Sequence, residues 1–165
     1  MVTPLPTALG GGQAWASQAS SAAADCSDMS PEEIGFLQKL LTDPSRRAEA
    51  ARRLADEHRA AGRAGPLAEA LEVLALVAPG PREEARVLSQ LGRARLAAGE
   101  PEQALLALGR ALYLAPDDPS LLAGLRDDAA RADRSPQLEE VLRDLASDAP
   151  ARARTLIEAE LARPK

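Results

Sequence analysis

Residues 85–118 read ARVLSQLGRARLAAGEPEQALLALGRALYLAPDD, and this stretch decides the fold. Apolar residues recur every three or four positions on both sides of Gly99 and Pro101, a spacing that predicts two amphipathic helices. Glycine is favoured just after the end of a helix, and proline at the first position of the next one. The stretch therefore predicts two antiparallel helices joined by a very short turn.

The composition of the whole chain favours the same class of structure. Its 165 residues include 36 Ala and 26 Leu, against 5 Val, 2 Ile and 2% aromatic residues. Alanine and leucine are strong helix formers, whereas sheets need β-branched and aromatic side chains. We therefore predict an all-α protein and exclude sandwiches, barrels and α/β sheets.

Prolines at regular intervals divide the chain into helices. The predicted helices cover residues 31–42, 44–61, 66–78, 81–98, 101–115, 119–132, 136–147 and 150–163. Their links are so short that neighbouring helices are expected to run antiparallel. Residues 1–29 are rich in Ala, Ser and Gly and have no apolar period, so we predict a disordered tail there and a helical domain over residues 30–165.

The apolar pattern repeats along the chain with a constant period. Leu88, for example, pairs with Leu54 before it and, at the same separation, with Leu122 after it. A unit of this length that holds two antiparallel helices resembles the tetratricopeptide repeat. The pattern of that family is matched best within 85–118, by Leu88, Leu91, Gly92, Ala104, Leu108, Ala111 and Pro116. The flanking units match less well, because His58 and Arg126 stand where the family has glycine.

The resemblance implies a short right-handed solenoid of about three repeats. The repeats cover approximately residues 44–80, 81–118 and 119–149, and helix 150–163 serves as the terminal cap. Gly92 has a physical role in this reading, because a residue without a side chain lets two paired helices approach closely. Another antiparallel helical bundle is the alternative fold.

The sequence gives little support for a catalytic or metal-binding function. The chain has one cysteine, Cys26, and one histidine, His58, too few for a Cys/His metal site. A nucleophile needs a base within hydrogen-bond reach, and nothing in the sequence brings Cys26 near His58. We expect His58 to be a satisfied structural histidine. The prediction is a protein that is not an enzyme and needs no metal or cofactor.

Charge and hydropathy indicate which classes of partner the chain can have and in which compartment it is located. The net charge of −5 does not favour nucleic-acid binding. No apolar run approaches the roughly 20 residues of a membrane span. The amino terminus lacks the basic and apolar segments of a secretory signal, so we predict a cytoplasmic location, with neither membrane nor nucleic acid as partner.

Arginines mark the candidate binding surface. The resemblance implies a concave groove lined by the first helix of each pair. Arg52 and Arg59 are seven residues apart and share a helix face, and Arg86 and Arg93 repeat that pair one period later. The predicted partner-binding residues are Arg52, Arg59, Arg86, Ser89, Gln90 and Arg93. Solvated charges, with Arg52 paired to Asp56, are the alternative interpretation.

The local charge indicates the chemistry of the partner. Residues 44–99 contain ten arginines and seven acidic residues, a net of +3, whereas residues 100–165 carry a net charge of −4. Guanidinium groups suit bidentate binding of carboxylates, so the expected partner is another protein or peptide with an acidic segment. We predict a monomeric adaptor or scaffold. The alternative is an assembly subunit that associates through the solenoid ends or the convex face.

Overall fold

The computed structural model describes residues 29–163, and within that range it contains helices and no strand. The helices are α1 (Pro31–Leu40), α2 (Arg47–Ala60), α3 (Ala64–Leu76), α4 (Pro81–Ala97), α5 (Pro101–Leu114), a 3₁₀ helix (Pro119–Leu121), α6 (Leu125–Arg131), α7 (Ser135–Asp148) and α8 (Ala151–Leu161). The predicted all-α class is confirmed. The tail predicted for residues 1–29 lies outside the described residues, except for Met29, which is half-buried against the core.

Helices that follow one another in the chain pack together. Contacts join successive helices from α1 through α5 and again from α6 through α8. Because the links are short, helices that pack in this way run antiparallel. In addition, α4 packs on α6 and α5 packs on α7. The fold therefore has two layers, with α4 and α6 in one and α5 and α7 in the other.

The core consists almost wholly of alanine and leucine. Helices α4 and α5 approach each other closely at Gly92, where an added Cβ would lie 2.6 Å from Cγ of Leu108. That distance is far below the separation at which two carbon atoms attract each other. Of the repeat positions named above, Pro116 is half-buried and the others are buried: Leu88, Leu91, Gly92, Ala104, Leu108 and Ala111.

Local side-chain chemistry determines where several helices begin and end. Ser30 and Glu33 form a reciprocal capping box that starts α1. Gly62 and Gly99 follow the ends of α2 and α4 with left-handed φ values of 66° and 84°, as the sequence predicts. Helix α2 begins later than predicted because the Asp43 carboxylate accepts hydrogen bonds from the backbone N–H and hydroxyl of Ser45. This side-chain turn holds residues 43–46 outside the helix.

The single helix predicted for residues 119–132 is wrong. The chain forms the 3₁₀ helix first, and α6 starts only after Gly124, whose φ is 75°. Left-handed backbone at this point interrupts the ladder of helical hydrogen bonds. Arg93 of α4 supports the break, because its guanidinium Nη1 donates to the carbonyl of Ala123 over 3.1 Å. A tertiary contact thus stabilises the interruption.

Candidate partner-binding groove

A groove of about 860 Å³ opens between the carboxyl-terminal halves of α2, α4 and α6 and the amino-terminal half of α3. We refer to it as the α2–α4–α6 groove. Its apolar lining consists of small and aliphatic side chains of α3, α4 and the end of α6: Ala64, Leu67, Leu71, Ala94, Ala97 and Ala132. Its polar lining consists of His58, Arg59, Gln90, Arg93, Asp128 and Arg131. The groove therefore offers apolar and charged contacts side by side.

The charged side chains of the groove are mostly cationic. The lining contains Arg59, Arg93 and Arg131 but a single carboxylate, that of Asp128. Asp128 pairs with both Arg93 and Arg131, so one carboxylate serves two guanidinium groups. The lining keeps an excess of positive charge, which favours an anionic ligand over a cationic one.

Arginines also connect successive helix pairs, and we name Arg59, Arg93 and Arg126 the arginine ladder. Arg59 donates to the side chain of Gln90 over 2.8 Å. Arg93 bonds to Asp128, and Arg126 donates to the carbonyl of Glu160 over 3.0 and 2.6 Å. In each case the partner lies 31 to 35 residues further along the chain. The ladder shows that part of the arginine periodicity serves the fold itself.

The structure places the predicted binding residues in three different settings. Arg59, Gln90 and Arg93 lie together in the α2–α4–α6 groove, whereas Arg52 and Arg86 are exposed outside its lining. Among residues 29–163, Arg52 forms no hydrogen bond or ion pair. Arg86 forms an ion pair with exposed Glu83, at 3.9 Å. The expected array of four arginines along one groove is therefore reduced to two members.

Ser89 is a correction to the sequence analysis. It is only 4% exposed, and its hydroxyl donates a hydrogen bond to the carbonyl of Leu121. This bond ties α4 to the 3₁₀ helix, so the side chain is not available to a partner.

Two residues of the groove were missed by the sequence analysis. The periodicity of the arginines at 52, 59, 86 and 93 did not predict that Asp128 and Arg131 would line the groove. They stand one repeat after Ala94 and Ala97, which line the same groove, so their places follow from the period of the apolar pattern and not from that of the arginines.

His58 is buried at the inner side of the groove, with 6% of its surface exposed. The expectation that its nitrogens are satisfied is wrong for Nδ1, which has no hydrogen-bond partner within residues 29–163. Burial lowers the pKa of His58, and the nearby Arg63 guanidinium lowers it further, whereas the Glu57 and Glu69 carboxylates raise it. The net direction is downward, so the folded protein favours neutral His58.

This lowered pKa predicts a pH dependence of stability. Below pH 6.5, the ordinary pKa of histidine, the unfolded chain binds a proton at His58, whereas the folded chain keeps His58 neutral. The free energy of unfolding should therefore fall as the pH decreases through 6.5. Urea unfolding followed by circular dichroism, kept above about pH 5 to avoid the carboxylates, measures the slope. His58→Gln should flatten it, because His58 is the chain's only histidine; an equally steep slope in this variant would contradict the assignment.

Two other surfaces complete the set of candidate sites. The outward side of α8 is polar, with Arg152, Arg154, Thr155 and Glu158 exposed, so the carboxyl-terminal helix of the fold has the character of a cap. On α5, Leu106 and Tyr113 are 74% and 75% exposed. They are seven residues apart and share one helix face. Leu76 on α3 is exposed as well.

Within residues 29–163 no group of three or more His, Cys, Asp or Glu side chains is placed to hold a metal ion. Over the same range, every helix is too short or too polar to cross a bilayer. No protein-family model, curated protein or solved structure matches the chain. The arrangement of the groove is accordingly the basis for any functional assignment.

Proposed function

We propose that the chain is a non-catalytic protein-interaction module, a short tetratricopeptide-like solenoid that binds an acidic segment of another protein in the α2–α4–α6 groove. The observation that carries this proposal is the polar lining, which contains three arginines and one aspartate. The regular period of the apolar pattern and the burial of Leu88, Gly92 and Leu108 support the tetratricopeptide-like architecture. The cytoplasmic location and the monomeric state remain predictions.

Two of the groove arginines are available to a ligand at little cost. Arg59 has a half-exposed side chain that bonds to Gln90 and pairs with Asp56, which is more exposed still. Arg131 is 76% exposed in its pair with Asp128. Surface ion pairs of this kind contribute about 0–1 kcal/mol. A carboxylate of a bound peptide can therefore replace Asp56 or share Arg131 with Asp128.

Arg93 has a structural role in the proposed site and is not freely available to a ligand. Its side chain is largely buried, bonded to Asp128, and also donates to the carbonyl of Ala123. It contacts the break before α6 through the carbonyl of Ala123, and it is linked to Arg131 through the carboxylate that both arginines share. Removing Arg93 would disturb the fold and the site together, and for this reason the test below leaves it unchanged.

The apolar lining defines the second requirement of the partner. Leu67 and the alanines beside it can accept aliphatic side chains that follow or precede an acidic residue. The described lining contains no aromatic side chain, and aromatic residues supply much of the energy of tight interfaces. We therefore expect a ligand that combines acidic and aliphatic residues and binds with modest affinity.

Charge reversal at the groove tests this proposal. A labelled peptide of alternating glutamate and leucine should bind the wild type, with an affinity that decreases as salt increases. Arg59→Glu/Arg131→Glu should weaken binding about tenfold or more, because each change removes an attractive charge and adds a repulsive one. Fluorescence anisotropy measures the dissociation constants.

The matched control is Arg52→Glu/Arg86→Glu, which changes the net charge equally at exposed arginines outside the lining. It should keep most of the affinity. Equal losses in both double variants would indicate a general charge effect and would reject the groove as the site. A lysine–leucine peptide should bind Arg59→Glu/Arg131→Glu better than it binds the wild type, because the groove of that variant is negatively charged. Capture of partners from lysate of the native host can then use the same pair of variants.

A second function, as an assembly subunit, is favoured by one observation, the exposed Leu106 and Tyr113 on α5. Large apolar side chains that share an exposed helix face often mark a protein contact. If this surface joins copies of the chain, the wild type should sediment as an oligomer, and Leu106→Glu/Tyr113→Glu should sediment as a monomer. A monomeric wild type would leave the groove as the better-supported site.

A further inference from the structure

The amino-terminal segment, residues 1–28, joins the described fold next to the α2–α4–α6 groove. Because α1 and α2 pack together and their link is short, they run antiparallel. At a rise of about 1.5 Å per residue, the beginning of α1 then lies beside the last turn of α2. That turn carries His58 and Arg59, two of the groove residues. Met29, where the segment joins, is packed against the core.

The chemistry of the segment complements the groove. Residues 1–28 contain no lysine, arginine or histidine, and their charged side chains are Asp25 and Asp28. The first turn of α1 adds two acidic residues, of which Glu33 is committed to the capping box with Ser30 and Glu32 is exposed. The segment also contains Trp15, the chain's only tryptophan. It thus combines carboxylates with an apolar side chain, the combination that the groove lining accepts.

The distances suit an intramolecular contact. Asp28 is adjacent to Met29, and Asp25 lies within about 14 Å of it even in extended chain. The stretch from Trp15 to Met29 can span up to roughly 45 Å. The longest helix at the groove, α4, measures only about 26 Å. Trp15 can therefore reach any part of the apolar lining while Asp25 and Asp28 remain near Arg59.

We propose that residues 1–28 of this chain occupy the α2–α4–α6 groove, with Asp25 and Asp28 against Arg59 and Trp15 against the apolar lining. The segment then competes with the acidic segment of a partner and lowers the partner's apparent affinity. Because both ligands use one groove, this inference rests on the proposed function. A tethered segment has a high effective concentration, so weak contacts suffice for it to compete.

Tryptophan fluorescence of the full-length chain tests the contact directly. In the wild type, Trp15 should be quenched by acrylamide several-fold less than free N-acetyltryptophanamide. Arg59→Glu/Arg131→Glu should release the segment and raise the quenching constant toward the free value. Adding Asp25→Arg/Asp28→Arg to that variant should restore protection, because the two charges are then exchanged. Arg52→Glu/Arg86→Glu is the matched control and should leave Trp15 protected.

The glutamate–leucine peptide distinguishes this inference from the proposed function. Asp25→Arg/Asp28→Arg alone should raise the peptide's affinity several-fold, since the competitor is weakened. If Trp15 is as accessible as the free compound in the wild type, the inference is overturned, although the peptide can still bind. Protection that persists in Arg59→Glu/Arg131→Glu places the segment elsewhere and overturns it too. If the peptide fails to bind even Asp25→Arg/Asp28→Arg, which keeps the groove arginines, the proposed function fails.

Discussion

Leu108→Ala should lower the free energy of unfolding by about 2–5 kcal/mol, the range for truncation of a buried leucine. Leu108 is 0% exposed and lies in the seam between α4 and α5. Two small residues flank it on its own helix, Ala104 and Ala111, and both are fully buried. Their short side chains cannot extend into the cavity, so we expect a loss in the upper part of the range.

The control for this substitution is two residues away on the same helix. Leu106→Ala makes the same chemical change at a side chain that is 74% exposed. Its effect should remain within about 0.5 kcal/mol. Urea unfolding followed by circular dichroism measures both variants. If both variants lose a similar amount of the free energy of unfolding, then Leu108 does not lie on the buried face of α5.

Gly92→Ala is expected to destabilise the fold by about 1–3 kcal/mol, although alanine is the better helix former by about 1 kcal/mol. The added Cβ would lie 2.6 Å from Cγ and 3.0 Å from Cδ2 of Leu108, and 3.3 Å from the carbonyl oxygen of Ala104. Leu108 is fully enclosed and cannot turn away, so α4 and α5 must separate. The lost packing outweighs the gain in helix propensity.

Gly35→Ala provides the matched control. Gly35 lies within α1, and a Cβ there would have no heavy atom within 4 Å. This variant should be more stable than the wild type by up to about 1 kcal/mol. The same glycine-to-alanine substitution is thus expected to lower the free energy of unfolding at position 92 and to raise it at position 35. A stabilised Gly92→Ala variant would show that the seam can widen freely.

Combining the two core substitutions tests whether they act on one contact. In the Leu108→Ala background, the two atoms nearest to a Cβ at position 92 are removed, and the carbonyl oxygen of Ala104 remains at 3.3 Å. Gly92→Ala should then be neutral or slightly stabilising. The double variant should accordingly lose less free energy than the two single variants together. If the two losses of free energy simply add, the strain of Gly92→Ala does not come from contact with Leu108 but from another neighbour.

The sequence by itself determined the class of fold, because helix formation depends mainly on local properties. The Ala/Leu composition excludes sheets. The capping box at Ser30 and the glycines at 62 and 99 mark helix ends through their own backbone chemistry. The buried face of α5 follows from the spacing of its apolar residues, since a helix repeats about every 3.6 residues. These features involve neighbours within a few positions, which a sequence displays directly.

The tertiary structure decided the details of the candidate site, because these depend on residues far apart in the chain. Residues 119–132 have the composition of one helix, yet Arg93 bonds to Ala123 from another helix and stabilises the break there. Within the groove, the carboxylate of Asp128 joins Arg93 of α4 to Arg131 of α6, and this contact exists only in the folded chain. Ser89 has a sequence position typical of an exposed face, but the 3₁₀ helix covers it.

The arginines show the limit of periodicity as an argument about function. A separation of one repeat predicts that Arg59 and Arg93 occupy equivalent places, and both line the groove. The same spacing cannot tell a side chain that binds a partner from one that bonds to the next helix pair. Hydrogen bonds at Gln90, Asp128 and Glu160 make that distinction. They form only when the helix pairs are stacked, and stacking is a property of the folded chain.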